Sequence, residues 1–308
     1  MDPEDFAGLA RRYHRELHVH CYRMLGSFEA AEDHVQETFL RAWRSRDTFG
    51  GRSSARTWLY RIATNACLDT LRRPGPPLQP YPDQLLDERP GPDAVAVGRE
   101  TISLAFLAAI QLLPPRQRAV LILRDVLSMS AGETAATLDT TTQAANSALQ
   151  RARSALRERW PGGRLEWAPA NVPDGAQRDL VRRYIAAHES ADPEALIALL
   201  REDVRLTIEP GVGSWTGRDR VAPALREDMM SEGRWRMLPT GANRQPAVAA
   251  YVCRPGDTTF RPFALILLRL EPDGLAAMDV FEAPGLFPAF GLPDLVVQRD
   301  SDAAAPRG

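Results

Sequence analysis

Residues 131–157 read AGETAATLDTTTQAANSALQRARSALR. The opening AGETAATL is a short run of small residues, DTT at 139–141 is a tight connection, and a longer helical pattern starts at Thr142. In that longer segment Ala145, Ala148, Leu149, Ala152 and Leu156 fall on one face, which predicts a helix packed on a core. A short helix, a three-residue turn and a longer helix form the layout of a helix-turn-helix. The opposite face carries Gln143, Asn146, Ser147, Gln150, Arg153 and Arg157. Gln and Asn can pair bidentately with adenine, and arginines reach guanine or phosphate, so this face fits a major groove. An amphipathic helix alone would be an ordinary solvated surface; the turn and the small residues before it favour DNA.

Towards the N-terminus, residues 57–73 read TWLYRIATNACLDTLRR, followed by PGPP, which ends any helix. On a helical wheel Leu59, Ile62, Ala63, Ala66 and Thr70 share a sector of roughly 100°, the width of a core-facing stripe. Trp58, Arg61, Asn65 and Arg72 lie beside it in a sector about 60° wide. A stackable ring, cations and an amide suit single-stranded nucleic acid, in which phosphates and unpaired bases are both exposed. From wheel geometry alone, a solvated face whose tryptophan covers a neighbouring helix explains the same residues.

The chain of 308 residues is long enough for two or three domains. Helical periodicity dominates 4–73, and residues 74–100 hold seven prolines and read as a linker. Helical pattern returns over 101–160 and is broken by PGG at 161–163. From 176 two helical segments, 176–190 and 193–201, precede strand-like VRLTIE, WRMLPT, PAVAAYVCR, TTFRPFALILLRL and LAAMDVF. The expected fold is multi-domain: two all-α domains (1–73 and 101–160), a second linker at 161–175, an α+β domain over 176–295, and a disordered tail at 296–308.

Composition narrows the function. Hydrophobic residues at 44% and charged residues at 25% are ordinary for globular protein, and no apolar run spans a bilayer. The N-terminus lacks the basic start and apolar run of a signal peptide, which places the chain in the cytoplasm without a membrane role. Cys21, Cys67 and Cys253 form neither a disulfide framework nor a zinc motif and read as core. His14 and His18 share a helix face with no third ligand evident, so neither a metal nor another cofactor is expected. All 38 basic residues are arginine, which reflects codon composition more than function, and a net charge of -2 makes any basic surface local.

Taken together, AAEDHVQETFLRAWR at 30–44, DTFGGRSSARTWLYRIATNACLDTLRR at 47–73 and the block from Leu113 to Glu158 resemble the extracytoplasmic-function sigma factors of the sigma-70 family. The resemblance covers nearly all of residues 4–160 and implies core RNA polymerase and promoter DNA as partners. It implies that Asp33, Gln36, Glu37, Leu40 and Trp43 dock on polymerase. It assigns the Gly/Ser-rich loop with Phe49, Arg52 and Ser53, together with Trp58, Arg61 and Asn65, to the minus-ten element. Thr142, Gln143, Asn146, Ser147, Gln150 and Arg153 fall to the minus-thirty-five element. Such a protein directs polymerase and performs no catalysis of its own.

The C-terminal part resembles the SnoaL-like branch of the nuclear-transport-factor-2-like fold, a curved sheet wrapped on helices around a conical pocket. The resemblance rests on RDLVRRYIAAHESADPEALIALLREDVRLTIEP, SWTGRDRV and MDVFEAPGLFPAFGLP. His188, Asp203, Glu209, Trp215 and Asp279 are the pocket candidates, and a buried Asp or His could act as a general base. Taken singly, each reads more simply as structural; Asp192 before Pro193 reads as a helix start, and Trp235 and Phe263 as core. The favoured role is regulatory, with the domain docking on the sigma core through PYPD or GLFPAFGLP. The competing readings are a helix-turn-helix regulator that works without polymerase, and a cyclase- or hydrolase-like enzyme with a DNA-binding front.

Overall fold

The computed structural model describes residues 2–49, 54–86, 102–159, 175–231 and 233–297. These fall into two compact units, 2–79 with 102–159 and 80–86 with 175–297. The expected disordered tail lies mostly outside the described residues; of it only 296 and 297 are described, as a short strand.

The first unit is helical: α1 Pro3–Leu25, α2 Phe28–Arg44, α3 Ala55–Thr70, α4 Leu104–Gln111, α5 Pro115–Leu121, α6 Ala131–Thr137 and α7 Thr142–Arg159. Side chains start these helices where the backbone N–H groups have no partner. Asp2 caps α1, Ser27 α2, Ser54 α3 and Ser103 α4, while Ser130 and Glu133 form a reciprocal capping box on α6. Gly26 ends α1 at φ 76°, a conformation that glycine adopts at little cost. Leu59, Ala63 and Ala66 are buried against α1 and α2, as the stripe predicts.

Both helical blocks belong to this one unit, and Arg118 of α5 joins them. It is 4% exposed and donates to the carbonyls of Ile110 and Gln111, to Met24 of α1 at 2.5 Å, and to the Gln111 side chain. No carboxylate is among these partners; carbonyl dipoles, including one at the C-terminal end of α1, carry the charge. Burial lowers its pKa to about 10.

The second unit has α8 Gly175–Glu189, α9 Pro193–Ile197 and α10 Arg218–Ser231 on a sheet of β1 Leu200–Glu209, β2 Gly213–Thr216, β3 Arg234–Ala242, β4 Gln245–Cys253, β5 Thr259–Glu271, β6 Gly274–Phe281 and β7 Val296–Val297. Strand order is β2-β1-β6-β5-β4-β3, with β7 on β5; β1 and β6 run parallel and the other pairs antiparallel. The second helix is shorter than the pattern 193–201 suggests, because Leu200 and Arg201 already belong to β1. Alternation along β1 sends Val204 and Leu206 into the core with Tyr184, Trp235, Val248, Leu268 and Met278. The other face of the sheet meets the 3₁₀ segment Pro284–Phe290, where Phe287 packs edge-on to Tyr251 at 5.1 Å.

Candidate nucleic-acid interface

The helix-turn-helix is α6 and α7. Asp139 in the turn takes φ 50°, which an aspartate tolerates better than most residues. Ala145, Leu149, Ala152 and Leu156 are buried, which turns Thr142, Gln143, Asn146 and Gln150 outward; Ser147 is half-buried. Arg153 differs from the others. Its guanidinium donates twice to Asp125, at 2.9 and 2.6 Å, and Asp125 sits on the π-helical turn Ile122–Val126 that extends α5. The extra residue in that turn aims a carboxylate at the middle of α7, a placement with no periodic signature in the sequence.

On α3, Arg61 is exposed while Trp58 and Asn65 are half-buried. Phe49 lies 4.7 Å from the Trp58 ring at 31°, so two of the expected minus-ten residues form one aromatic surface. Arg52 and Ser53 lie outside the described residues. Arg56, one turn before Tyr60, stacks over that ring at 4.9 Å and pairs with Glu16 at 2.9 Å.

On α2, Asp33, Gln36 and Leu40 are exposed at helical spacing, with Leu40 at 52%. Glu37 flanks them and pairs with Arg41 at 2.6 Å, which holds its carboxyl below the usual range. Trp43 packs against Phe6 at 5.1 Å with the Arg46 guanidinium 4.0 Å over its ring, so part of that side chain anchors α2 to α1.

Two helical blocks with these faces match two families. Sigma-70 region 2 matches residues 9–75 and sigma-70 region 4 matches residues 103–156. The ECF RNA polymerase sigma factor SigG of Mycobacterium tuberculosis is 40% identical over 94% of this chain and 84% of its own length. The chain belongs to the extracytoplasmic-function sigma factors. SigW of Bacillus subtilis, 31% identical, aligns with 51% of this sigma factor and 89% of its own length. The crystal structure of SigJ from Mycobacterium tuberculosis shares the fold across 94% of this chain and 99% of that one, at TM-score 0.59 and 21% identity. The sigma factor therefore binds core RNA polymerase and directs it to promoters, and the polymerase makes RNA. A regulator working without polymerase is not favoured. The second unit has the α+β fold that the SnoaL-like resemblance implies, helices packed on one curved sheet.

That domain divides its five pocket candidates between the two faces of its sheet. His188 is buried, its Nδ1 3.1 Å from the Tyr184 carbonyl, and burial lowers its pKa to about 4. Trp215 lies against the core on the helix-side face, and Trp235 meets Phe263 edge-on at 5.2 Å. Asp203 is exposed and pairs with Arg201 at 2.8 Å. Asp279 stands opposite Thr207 on the other face of the sheet, where burial raises its pKa despite Arg205 at 3.3 Å. Glu209 ends β1 and accepts from the Gly211 N–H at 3.1 Å. Strand alternation puts Trp215 on the helix-side face with Leu206, whereas Thr207 and Glu209, at alternate positions of β1, share the opposite face with Asp279.

His14 and His18 both approach Glu32, at 3.6 and 3.3 Å. Among the described residues no group of three His, Cys, Asp or Glu side chains is placed to hold a metal, and no helix is long and apolar enough to cross a membrane. All three cysteines are buried thiols.

By sequence PYPD lies in the linker and is an expected docking element. In the structure Tyr81 of that segment is 1% exposed within the second unit, where its N–H donates to the Asn243 side chain at 2.8 Å and its carbonyl accepts from the Asn243 N–H at 2.9 Å. Gln84 donates to the Ala289 carbonyl at 2.8 Å, so PYPDQ and GLFPAFG meet.

Proposed function

We propose that the promoter is read by two separate faces and that the SnoaL-like domain regulates the reading by binding the linker. Phe49, Trp58, Arg61 and Asn65 receive the opened minus-ten strand by stacking, charge and amide pairing, with Arg52 and Ser53 as further contacts implied by the family resemblance. Thr142, Gln143, Asn146, Ser147 and Gln150 enter the major groove of the minus-thirty-five element, with Arg153 further along the helix. Asp33, Gln36, Glu37, Leu40 and Trp43 form the polymerase contact, with Leu40 as its exposed apolar anchor. Such a factor works where polymerase works, in the cytoplasm.

The observation that carries the regulatory reading is the reciprocal bonding of Tyr81 and Asn243. A linker residue between the two promoter readers is buried by the C-terminal domain, so the occupancy of that contact couples the domain to the sigma core. The placement of His188 on the helix side of the sheet and Asp279 on its other face favours a binding module over an enzyme. Deleting residues 164–308 and measuring transcription from a cognate promoter tests this: altered output is expected, and unchanged output with unchanged core affinity would refute it.

A further inference from the structure

The chain leaving region 2 is gripped twice, one residue apart. Gln79 is held by region 2: its N–H donates to the Gly26 carbonyl at 2.9 Å, its carbonyl accepts from the Tyr22 hydroxyl at 2.7 Å, and its side-chain amide joins Ser27 and Glu29, each at 2.7 Å. Tyr81 is held by the SnoaL-like domain, and only Pro80 stands between.

The seat for residues 81–86 is built for a close fit. Asn243 is fully buried, and Pro82 bridges Ala242 as an added antiparallel pair. The Arg244 N–H donates to Asp83 Oδ1 at 2.7 Å. A Cβ on Gly241 would lie 2.7 Å from Asp83 Oδ2, so the glycine makes the room. The turn itself is Asn243 at φ 54° and Arg244 at φ 63°. Positive φ at both positions is what a two-residue hairpin between β3 and β4 requires; asparagine tolerates it and arginine does so less readily. Here the strained residue presents its N–H to Asp83.

Seating alters the tethers of region 4. Sixteen steps of chain separate Leu86 from Ile102, and sixteen separate Arg159 from Gly175, so each connection reaches at most about 58 Å at about 3.6 Å per residue. With the strap seated, both connections end on the SnoaL-like domain. With it released, the first runs back to Gln79, twenty-three steps and at most about 83 Å. Two promoter elements about 25 base pairs apart span about 85 Å of straight duplex at about 3.4 Å per base pair. The tether lengths are thus of the size that decides whether both elements can be engaged together.

We propose that the seat formed by Gly241, Asn243 and Arg244 is a promoter-spacing gauge: holding residues 81–86, it limits the separation of regions 2 and 4 and selects promoters by spacer length. This rests on the regulatory reading above. The size of the effect follows from the strap. Its 3₁₀ turn, Asp83–Leu85, rises about 2.0 Å per residue against about 3.6 Å when extended, which corresponds to about one to two base pairs.

The test uses full-length protein in reconstituted holoenzyme. Run-off transcription is measured on promoters differing only in spacer length, for wild type, for the strap variant D83A/Q84A and for the seat variant N243A. Hydrogen exchange at the Tyr81 amide reports release, and the melting temperature reports folding; the strap variant leaves the domain core untouched. The expected result is faster Tyr81 exchange with a preferred spacer longer by about one to two base pairs and a flatter profile. An unmoved profile in a folded variant whose Tyr81 amide is unprotected overturns the gauge. If output at the best spacer changes in that case, the regulatory reading survives; if neither output nor profile changes, both fall.

Discussion

Asp125 accepts two hydrogen bonds from the guanidinium of Arg153, at 2.9 and 2.6 Å, fastening the π-helical turn after α5 to the fourth turn of α7. An arginine expected to meet DNA is thus already engaged within region 4, and its place far along the helix favours a phosphate over a base edge. Arg153→Ala should cost region 4 about 0.2–1 kcal/mol, the range for a partly exposed ion pair. It should weaken minus-thirty-five binding evenly across base substitutions. Asn146→Ala should instead relax preference at one base pair; equilibrium binding to a panel of single-base variants separates the two patterns.

Asn65 stands half-buried on α3 beside exposed Arg61, whereas Leu59 on the same helix is fully buried. Asn65→Ala should change the ranking of minus-ten sequences in abortive transcription and leave core affinity unchanged. Leu59→Asp places a charge in an apolar interior and should abolish the cooperative unfolding transition of the first unit.

Leu40 is an exposed apolar side chain among the expected polymerase contacts. Leu40→Asp should shift the melting free energy by no more than about 0.5 kcal/mol, as for other surface changes. Core binding should weaken by about tenfold or more, the loss of an anchor worth about 1.4 kcal/mol. Retained core affinity in a competition assay would remove Leu40 from the interface.

Burial lowers the pKa of His18 to about 4, of His20 to about 3 and of His188 to about 4, against an ordinary value near 6.5. In each case the folded state holds the neutral imidazole and the unfolded chain takes up a proton first. Their stabilising contribution is complete above about pH 6.5 and declines as pH falls towards the folded values. The slope approaches about 1.4 kcal/mol per pH unit for each histidine. Urea midpoints should therefore drop between pH 7 and 5; in a His188→Gln variant the second unit should lose part of that dependence.

Much of the first unit was legible because its signals are local. The stripe Leu59, Ala63 and Ala66 is buried, Ser130 and Glu133 cap the helix that the AGET segment announces, and the long helix begins at Thr142. The SnoaL-like candidates were not legible in the same way. Nothing in the order of residues says that Asp279 shares a sheet face with Thr207 while Trp215 lies on the other, since that depends on which strands become neighbours. Likewise, Asp125 reaches Arg153 through a π-helical turn that no apolar period records.

By itself, the sequence determined the helices, the helix-turn-helix, five of the seven described strands and the family, because caps, apolar periods and turn residues act within a few positions of each other. Only the tertiary structure decided where PYPDQ goes. Its proline-rich backbone cannot complete a regular element, and its burial depends on a glycine, an asparagine and a strained arginine about 160 residues away. Such a contact leaves no periodic trace, since its geometry exists only after the sheet has formed and brought the Asn243 turn to one edge.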